Sequence, residues 1–476
     1  MMPVETFLPI ETQILIVGAG PTGLAAAISL ICNGIKPSNL TIVDCVREGA
    51  NTSRAIGIHA ATLEALDTYG CASKLVELGI QGASWSIGDR NSIIFQANFH
   101  YNAPYTKYPF VLILDQTATE HVLEERLREL GIEVKRPLRV VGMKDSGEGK
   151  GTDILFESGE IVRSKYVIGA DGARSMVRQL SGINFADPDG KSVDDSIDDR
   201  VAQMVLADVS LSISEDQAAL LPSGVSATLS ETGMFVVIPL GKPAVSELLY
   251  NSSENVYRIG FNVPRALGEP PSKPSLEYIQ SSMDEQAPFS LCSDPKVNPK
   301  PVRISKVHWS TRFRTHSALA DVFFKRVHGG LVFLVGDAAH VHSPVGGQMS
   351  ISLEVGFFKC EFANFFRNFQ GMNLGLRDAT GLGPILVEHI RQREEQCDQS
   401  KSNSDTVDTM ALEKYAASRR IRGLDNIRLT KNMINVFNFV LKPHLFSWPI
   451  WVFRLLSHVA IFQSRLVYRF SGLGNQ

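Results

Sequence analysis

The chain has 476 residues, a length that is too great for one small domain and predicts two or three. Its apolar fraction of 44% and charged fraction of 20% are typical of a soluble globular protein. The net charge of -3 argues against nucleic acid as a partner, because phosphate binding requires a clustered basic surface. The six cysteines include no Cys-x-x-Cys pair, so we expect no metal site and no disulfide framework, but a reducing, cytoplasmic compartment.

The two ends of the chain predict neither a secretory signal nor a membrane span. Residues 1–11 lack a basic start and carry Glu5 and Glu11. Residues 445–462 are rich in Trp, Phe, Ile and Leu, but Arg454 and His458 interrupt them. A membrane span needs about 20 nearly uncharged residues. We expect a core or partner-facing helix there, and peripheral contact with a membrane surface is the open alternative.

The first motif is a strand, a glycine-rich turn and a helix in immediate succession. Residues 13–17 form a short apolar run, Gly18, Gly20 and Gly23 follow, and an Ala-rich helix begins near Leu24. In this context the spacing of the glycines predicts that backbone N–H groups at a helix N-terminus approach a pyrophosphate.

The next predicted strand, residues 40–43, ends in a carboxylate. Asp44 lies 21 positions after Gly23, a spacing at which an acidic residue accepts hydrogen bonds from the ribose hydroxyls of an adenosine. A capping or solvent-facing aspartate is the alternative. Together the glycines and Asp44 predict a dinucleotide that contains ADP, and they leave open whether it is FAD or NAD.

Two later strands also end in a carboxylate. Apolar residues 166–169 run into Asp171, and apolar residues 331–335 run into Asp337. A buried strand that ends in this way delivers an acidic side chain to the ligand edge of a sheet. The turn at residues 344–348 contains two glycines, which permit a close approach of backbone to a ligand.

The remaining segments predict a second domain that is inserted into the first. Residues 83–114 and about 205–307 alternate apolar and polar positions, as half-buried strands do, and the acidic residues 187–200 form a loop-like crossover between the domains. We assign residues 83–114 and 187–304 to this second domain. We therefore predict an α/β fold in which a Rossmann-like dinucleotide-binding domain is interleaved with a β-rich substrate domain and closed by C-terminal helices. The predicted dinucleotide-binding domain comprises residues 1–82, 115–186 and 305–395, and the C-terminal helical region comprises residues 396–476.

The motifs at Gly18–Gly23, Gly169–Arg178 and Gly336–Pro344 together closely resemble those of the single-component flavin-dependent aromatic hydroxylases. This family includes para-hydroxybenzoate hydroxylase and phenol hydroxylase. The resemblance covers about residues 10–185 and 303–425 and is weaker between them. It implies a Rossmann-like FAD-binding domain, with FAD as the bound cofactor and NADPH or NADH as the co-substrate.

The resemblance also implies roles for individual residues. The FAD pyrophosphate and the adenosine ribose would be held by Gly18, Gly20, Gly23 and Asp44. Contacts with the FAD diphosphate or ribityl chain are implied for Arg54, Gln116 and Asp337, and contacts with both FAD and docking NAD(P)H for Asp171. The flavin ring would be lined by Pro344, Gly346 and Gly347, and its pyrimidine edge would face a helix that starts at Gly371, Met372 and Asn373.

The reaction that the resemblance implies is hydroxylation of a small phenolic or polyketide-like aromatic compound, as in secondary metabolism. In this family NAD(P)H reduces FAD, dioxygen adds to give a flavin hydroperoxide, and the aromatic ring takes the distal oxygen. The sequence assigns no catalytic base: His59, His340 and His342 lie near the motifs, but such histidines are more often structural. A membrane-associated quinone or kynurenine-type hydroxylase is the neighbouring alternative, and a homodimer is one predicted assembly.

The last flavin-binding motif is interrupted. Family members continue as Gly-Gly-Gln-Gly-Met-Asn, whereas here residues 349–370 separate Gln348 from Gly371. Four of the phenylalanines in this segment have helical spacing, which fits an additional amphipathic helix. We prefer the hypothesis of a translated intron, because 22 codons are a whole number of triplets and T-rich non-coding sequence encodes Phe. If the segment is present in the protein, an inactive or flavin-poor homologue that acts as a binding protein is the alternative function.

Overall fold

The computed structural model describes residues 8–47, 55–147, 151–188, 190, 203–221, 224–230, 232–240, 242–252, 254–264, 267–314, 317–341, 370–399, 408–440, 454–455 and 457–475. Four of the predicted cofactor contacts lie outside these residues, namely Arg54, Pro344, Gly346 and Gly347. All but the last residue of the interrupting segment 349–370 also lies outside them.

Twenty strands and eleven α-helices make up the described part of the chain. The strands are β1 Glu11–Val17, β2 Leu40–Val43, β3 Gly57–Ile58, β4 Ile80–Gly82, β5 Ser84–Gly88, β6 Ile93–Asn98, β7 Val111–Ile113, β8 Val140–Asp145, β9 Thr152–Phe156, β10 Ile161–Gly169, β11 Phe185–Ala186, β12 Gln203–Ser212, β13 Val225–Leu229, β14 Met234–Pro239, β15 Val256–Val263, β16 Arg303–Arg314, β17 Ala318–Ala320, β18 Phe324–Val327, β19 Gly330–Leu334 and β20 His340–Val341. The helices are α1 Pro21–Cys32, α2 Ala60–Asp67, α3 Ala72–Leu78, α4 Gln116–Glu129, α5 Met176–Leu180, α6 Glu215–Leu220, α7 Pro243–Tyr250, α8 Leu276–Gln286, α9 Gln370–Gln399, α10 Met410–Val440 and α11 Ala460–Phe470.

The first sheet is built around the N-terminal strand, which has two parallel neighbours. Its order is β18-β19-β10-β1-β2, in which β1 pairs in parallel with both β2 and β10, and β10 pairs in parallel with β19. Val17, Val43, Gly169 and Leu334 are level with one another at the carboxyl ends of these strands. The residues that follow each strand are therefore delivered to one edge of the sheet.

Helices cover this sheet, and α1 lies at the centre of the packing. Pro21 occupies the first turn of α1, where a missing N–H costs nothing, and the alanines that follow favour the helix. Leu24 and Ile28 are fully buried in a core that also contains residues of α4 and α9. Burial of each such side chain stabilises the fold by about 1.5–3 kcal/mol.

The second sheet is mostly antiparallel, in the order β16-β12-β15-β14-β13-β5-β6. Alternate residues of β12, including Val205 and Val209, pack with Met283 of α8 in one apolar cluster. Asp208 lies between them in the strand and forms a buried ion pair with Arg258 of β15, with 2.7 Å between Oδ1 and Nε. Arg258 also lies 3.7 Å from the carboxylate of Asp115, which caps α4. This cluster therefore joins the second sheet to a helix that packs against the first.

Two three-stranded sheets connect the larger ones. One has the order β3-β7-β4 and the other the order β11-β17-β20. Within the predicted insertion 83–114, residues 84–98 join the second sheet, whereas Val111–Ile113 pairs with β3 and β4 instead. The predicted α/β fold with a β-rich insertion and C-terminal helices is confirmed, and the exact domain boundaries stay predictions. No helix in the described ranges is long and apolar enough to cross a membrane.

Candidate functional site

The glycine turn after β1 has no room for side chains at two of its three glycines. Gly18 has a φ of 104°, and a Cβ built on it would lie 2.3 Å from the carbonyl oxygen of Ala170. A Cβ on Gly23 would lie 1.9 Å from the carbonyl oxygen of Gly18. At Gly20, by contrast, the nearest described atom would be Oε1 of Glu120, 4.0 Å away. The turn is tightly packed on the side of Gly18 and Gly23 and open at Gly20. A pyrophosphate could therefore approach the backbone of the turn and the N-terminus of α1 from the open side.

Asp44 lies beside this turn, as the sequence predicted. Its Oδ2 accepts a hydrogen bond from the backbone N–H of Ala19 at 2.7 Å, and its Oδ1 accepts one from Val46 at 2.8 Å. These bonds fix the carboxylate at the edge of the sheet while it remains partly exposed. Each carboxylate oxygen can accept a further hydrogen bond, so the group is able to bind ribose hydroxyls.

Asp171 follows β10 and leaves one buried acceptor open. Its Oδ2 accepts hydrogen bonds from the backbone N–H groups of Met176 at 2.7 Å and Val177 at 3.1 Å. Its Oδ1 is buried and has no hydrogen-bond partner among the residues that the structure describes. Burial raises the pKa of this carboxyl group. A buried acceptor without a donor is costly, and a hydroxyl-bearing ligand such as FAD would remove that cost.

Arg178 joins this region to the strand end that carries Asp337. Its guanidinium donates hydrogen bonds of 2.8 Å to the carbonyl oxygens of Ala338 and Ala173. It also lies over the ring of Phe185 at 3.8 Å. Burial lowers the pKa of Arg178. The sequence marked the position of Arg178 in a motif but gave it no role, and only the structure shows this connection.

Asp337 lies on a 3-10 turn, Gly336–Ala338, and is exposed at the sheet edge. The turn packs closely on the start of α1: Gly336 has a φ of 60°, and a Cβ there would lie 2.7 Å from Oγ1 of Thr22. The third predicted carboxylate is therefore on the same edge as the glycine turn and Asp171. Its predicted contact with the ribityl chain stays a prediction.

A buried cluster of ionisable side chains on β20, α9 and α10 contacts the Gly336–Ala338 turn. Asp378 of α9 accepts a hydrogen bond from the backbone N–H of Gly336 at 3.3 Å, pairs with Nε2 of His340 at 2.6 Å and with Nε of Arg419 at 2.5 Å. Burial by itself would raise the pKa of Asp378, but the neighbouring positive groups lower it to about 2. The sequence did not identify this cluster, because its members lie on β20, α9 and α10.

The start of α9 is fixed to the segment before α2. Asn373 accepts a hydrogen bond from the backbone N–H of His59 at 2.8 Å and donates one to the carbonyl oxygen of Gly57 at 2.7 Å. A Cβ on Gly371 would have no described atom within 4 Å. Gly371, Met372 and Asn373 are helical, and both the start of the helix at these residues and their contact with a flavin stay predictions.

Gln116 and Glu120 lie on one face of α4, below the glycine turn. Gln116 donates to Oε1 of Glu120 at 2.9 Å and accepts a hydrogen bond from the N–H of Ala55 at 3.4 Å. The pKa of Glu120 is raised to about 7, mainly by desolvation and also by the charges of Asp115 and Asp44, while the hydrogen bond from Gln116 acts in the opposite direction. Glu120 was not among the predicted site residues, and its carboxyl group is the unexpected feature of this region.

An apolar cavity lies between the β3-β7-β4 sheet, the second sheet and α11. Its wall includes Trp85, Phe99, Ile238 and Phe470, and His59 also lines it. His59 is the residue whose backbone Asn373 binds, so the cavity is adjacent to the start of α9. The cavity encloses about 20 Å³, which is enough for about one water molecule, so it would have to widen to admit an aromatic compound.

Comparisons with known proteins agree with this geometry. The chain matches the family model for an FAD-binding domain at residues 11–247 and 295–349. It is 26% identical over 442 residues to 6-methylpretetramide 4-monooxygenase of Streptomyces rimosus, a match that covers 92% of this chain and 64% of that protein. It is 25% identical to pentachlorophenol 4-monooxygenase of Sphingobium chlorophenolicum, covering 88% of this chain and 68% of that protein.

Solved structures show the same fold. The crystal structure of p-nitrophenol 4-monooxygenase from Pseudomonas putida matches with a TM-score of 0.69 and 20% identity, covering 98% of this chain and 99% of that one. Aklavinone-11 hydroxylase, solved with FAD and aklavinone, matches with a TM-score of 0.63 and 18% identity, covering 92% of this chain and 70% of that one. The chain spans 62–64% of the length of several of the curated relatives that it matches.

Proposed function

The chain belongs to the family of FAD-binding domains, and we propose on that basis that it is an FAD-dependent monooxygenase. With NAD(P)H and dioxygen it would hydroxylate a phenolic or polyketide-like aromatic compound. The observation that carries this proposal is the meeting of the glycine turn, Asp44 and the unpartnered Oδ1 of Asp171 at one sheet edge. That combination of donors and acceptors suits a dinucleotide.

The residues that would hold FAD follow from their positions. The turn from Gly18 to Gly23 would bind the diphosphate, Asp44 the ribose, and Asp171 and Asp337 hydroxyl groups of the remaining chain. Bound FAD would supply hydride acceptance from NAD(P)H and activation of dioxygen. The protein's own share of the work is to bind, orient and exclude water.

In this proposal the start of α9 stabilises negative charge on the cofactor. The N-terminus of a helix stabilises nearby negative charge by about 0.3–2 kcal/mol. Asn373, in the first described turn of α9, is held against the segment before α2, next to the apolar cavity, and we propose that the helix starts there. Negative charge that develops on a cofactor during reduction would be stabilised there, and the apolar walls would keep water away from the reaction.

The substrate is proposed to be an aromatic compound that binds at the apolar cavity, whose enclosed space of about 20 Å³ would have to widen to admit it. The names of the relatives specify 6-methylpretetramide and pentachlorophenol as their substrates. Trp85, Phe99 and Phe470 in the cavity wall provide ring surfaces that suit a flat aromatic molecule. A role in secondary metabolism is part of the proposal, since several relatives act on tetracycline-type compounds by name.

The absorption spectrum of the purified chain tests the cofactor, and NADPH consumption tests the reaction. We expect a yellow protein with near-stoichiometric FAD, substrate-stimulated NADPH oxidation in a panel of phenols, and incorporation of one atom of labelled dioxygen into the product. A protein that binds FAD but consumes NADPH equally with and without every phenol would contradict the monooxygenase proposal. Parallel assays with NADH define the preferred co-substrate.

The interrupting segment favours a second candidate, an inactive or flavin-poor homologue that acts as a binding protein. Residues 349–370 separate Gln348 from Gly371 in the sequence. A deletion of residues 349–370 provides the comparison: the second candidate predicts a colourless full-length protein and a yellow deletion variant. Sequencing the transcript tests the intron hypothesis separately, because a message that keeps the 66 nucleotides in every clone would refute it.

Two further properties belong to the proposal. A homodimer is expected, and sedimentation of the holoenzyme would detect it. A cytoplasmic location is expected, with peripheral membrane contact through residues 445–462 as the alternative; most of that segment lies outside the described residues. Co-sedimentation with vesicles separates these two, and a membrane-bound fraction would favour the quinone or kynurenine-type hydroxylase.

A further inference from the structure

A buried arginine of the second sheet connects that sheet to the helix below the glycine turn. Arg258 on β15 has an exposed fraction of 2% and lies directly opposite Asp208 on β12. Two of its nitrogens bind the carboxylate, with 2.7 Å between Nε and Oδ1 and 2.8 Å between Nη2 and Oδ2. The same guanidinium lies 5.3 Å from the centre of the Trp309 ring and 3.7 Å from the carboxylate of Asp115. The guanidinium is therefore held within the sheet and reaches a residue outside it.

Asp115 is the residue at which α4 begins. Its buried carboxylate accepts a hydrogen bond from the backbone N–H of Thr117 at 2.7 Å, as the cap of a helix does. Burial raises the pKa of Asp115, and the guanidinium of Arg258 acts in the opposite direction. An ionised carboxylate forms the stronger hydrogen bond with an N–H group. Arg258 therefore supports the form of Asp115 that caps α4.

The first turn of α4 lies at the proposed cofactor site. Gln116, the residue after the cap, accepts a hydrogen bond from the N–H of Ala55 at 3.4 Å and donates one to Glu120 at 2.9 Å. Oε1 of Glu120 lies 4.0 Å from the position of a Cβ on Gly20. A displacement of the N-terminus of α4 would consequently move the side chains that lie below the glycine turn.

Helix α7 supports the ion pair from a second direction. The hydroxyl group of Tyr250 donates a hydrogen bond of 2.8 Å to Oδ2 of Asp208. Val245 of the same helix is buried in the core that contains Ala118 and Val122 of α4. The carboxylate that holds Arg258 is thus bound both by its neighbouring strand and by a helix that shares a core with α4.

We propose that Arg258 is a positioning residue for the cofactor: held by Asp208, it fixes Asp115 and with it the first turn of α4 at the glycine turn. This inference rests on the proposed function, because it concerns the binding of FAD. Arginine suits the role, since a planar guanidinium that binds a carboxylate through two nitrogens has a fixed direction. Coupling between two sites is reciprocal. The second sheet therefore raises the affinity for FAD, and bound FAD stabilises the second sheet.

Fluorescence titration of the full-length apoprotein with FAD tests the effect of the sheet on the cofactor. We expect Arg258→Met to weaken FAD binding by about 5–150-fold, the usual range of coupling between two sites. Arg258→Lys should weaken it less, because lysine keeps the charge and loses the planar fork. Asp115→Asn keeps an oxygen that can cap α4 but removes the charge, and it should also weaken binding. The double variant Arg258→Met with Asp115→Asn should bind no more weakly than the weaker of the two single variants, because both act through one contact.

Arg90→Met is the matched control. Arg90 follows β5 of the same sheet and lies over the ring of Phe289 at 4.2 Å. It donates hydrogen bonds to the carbonyl oxygens of Ala287 and Asp284 at the end of α8. Its replacement should lower the melting temperature and leave FAD affinity at the wild-type value. Equal weakening in Arg90→Met and Arg258→Met, wild-type affinity in a folded Arg258→Met, or additive effects in the double variant would each overturn the assignment.

Amide hydrogen exchange of the full-length chain tests the reciprocal effect and requires no variant of Arg258. We expect saturating FAD to slow exchange in both β1 and β15 of the wild type. In Asp115→Asn the slowing should persist in β1 and be lost in β15. No protection of β15 in the wild type, or equal protection of β15 in Asp115→Asn, would overturn the assignment.

These measurements also separate the inference from the function on which it rests. A wild type that binds no FAD would refute the proposed function and the inference together. FAD binding by the wild type that none of these substitutions changes would refute the inference alone.

Discussion

Replacing Glu120 by glutamine tests the electrostatics below the glycine turn. The side chain has an exposed fraction of 8%, and its Oε1 lies 4.0 Å from the position of a Cβ on Gly20. Desolvation is the main reason that its pKa rises from 4.5 to about 7, and Asp115 and Asp44 contribute in the same direction. Glutamine has the same shape, remains neutral at every pH and keeps a hydrogen-bonding group for Gln116.

The sign of the pH effect follows from the direction of the shift. Between pH 4.5 and about 7 the folded protein binds a proton at Glu120 that the unfolded chain has released. This contribution to stability is fully present below pH 4.5 and is lost as the pH rises through about 7. At about 1.4 kcal/mol per pKa unit, this shift changes the unfolding free energy by about 3 kcal/mol between pH 4.5 and about 7.

Cofactor binding should follow the same linkage. A diphosphate at the glycine turn adds negative charge near Glu120 and raises its pKa further, so FAD binding takes up a proton. We expect the affinity of the wild type for FAD to fall as the pH rises above about 7, and the affinity of Glu120→Gln to remain nearly constant. The variant should bind FAD more tightly than the wild type only at the alkaline end.

Denaturant unfolding of the apoprotein and fluorescence titration with FAD, each across the pH window, measure these two effects. Glu125→Gln on the same helix is the control, and it should keep the wild-type pH dependence. The reasoning would be refuted if Glu120→Gln retained the full loss of stability between pH 4.5 and about 7. It would also be refuted if the variant bound FAD more weakly than the wild type at alkaline pH.

Three further substitutions probe the site at other points. Asp378→Ala should lower the unfolding free energy by about 3–5 kcal/mol in denaturant melts, because a buried guanidinium loses its partner. The exposed Glu388→Ala on the same helix should change it by less than about 0.5 kcal/mol. Gly23→Ala should abolish FAD retention on gel filtration because its Cβ would lie 1.9 Å from a backbone oxygen, whereas Gly474→Ala, with 3.6 Å to the nearest side chain, should retain FAD. Asn373→Ala removes two hydrogen bonds at the start of α9 and should weaken FAD binding in a fluorescence titration, and unchanged affinity would contradict a role for that helix end.

The sequence predicted those parts of the site that depend on strand ends. Gly18, Asp44, Asp171 and Asp337 each follow an apolar run directly, and parallel pairing of those runs is sufficient to bring them to one edge. The residues predicted to lie at the start of a helix, Gly371, Met372 and Asn373, are helical, and α9 is described from Gln370 onward. These features are local in sequence, and a parallel sheet converts local pattern into spatial proximity.

The interactions that the sequence did not predict depend on tertiary packing. Asp378 and Arg419 lie 41 positions apart on different helices, and no periodic pattern links them. His59 and His340 looked equivalent from their neighbouring motifs. The buried carboxylate beside one and the apolar cavity beside the other distinguish them only in three dimensions. The raised pKa of Glu120 likewise comes mainly from its burial, which is a property of the packed structure.

The contacts of α9 also determine how strongly we expect the interrupting segment to affect stability and FAD binding. Asn373 and Asp378 fix the helix through residues that follow the insertion, and both make buried interactions. Deletion of residues 349–370 would shorten the connection from Val341 to Gly371 from 29 residues to 7. For a flexible connection this is about two doublings in length, which changes the closure free energy by about 1.2 kcal/mol. Removal of one partner from the ion cluster that holds α9 would lower the unfolding free energy by about 3–5 kcal/mol.

The anchoring interactions therefore outweigh the entropy of the insertion. We expect the full-length chain and the deletion variant to differ by about 1 kcal/mol in unfolding free energy and to bind FAD with similar affinity. Denaturant unfolding and FAD titration of both proteins measure this. A full-length chain that binds FAD more than about 100-fold more weakly than the deletion variant, a difference of about 2.8 kcal/mol, would mean that the segment itself obstructs the flavin site. In that case the binding-protein alternative, and not loop entropy, would explain the interruption.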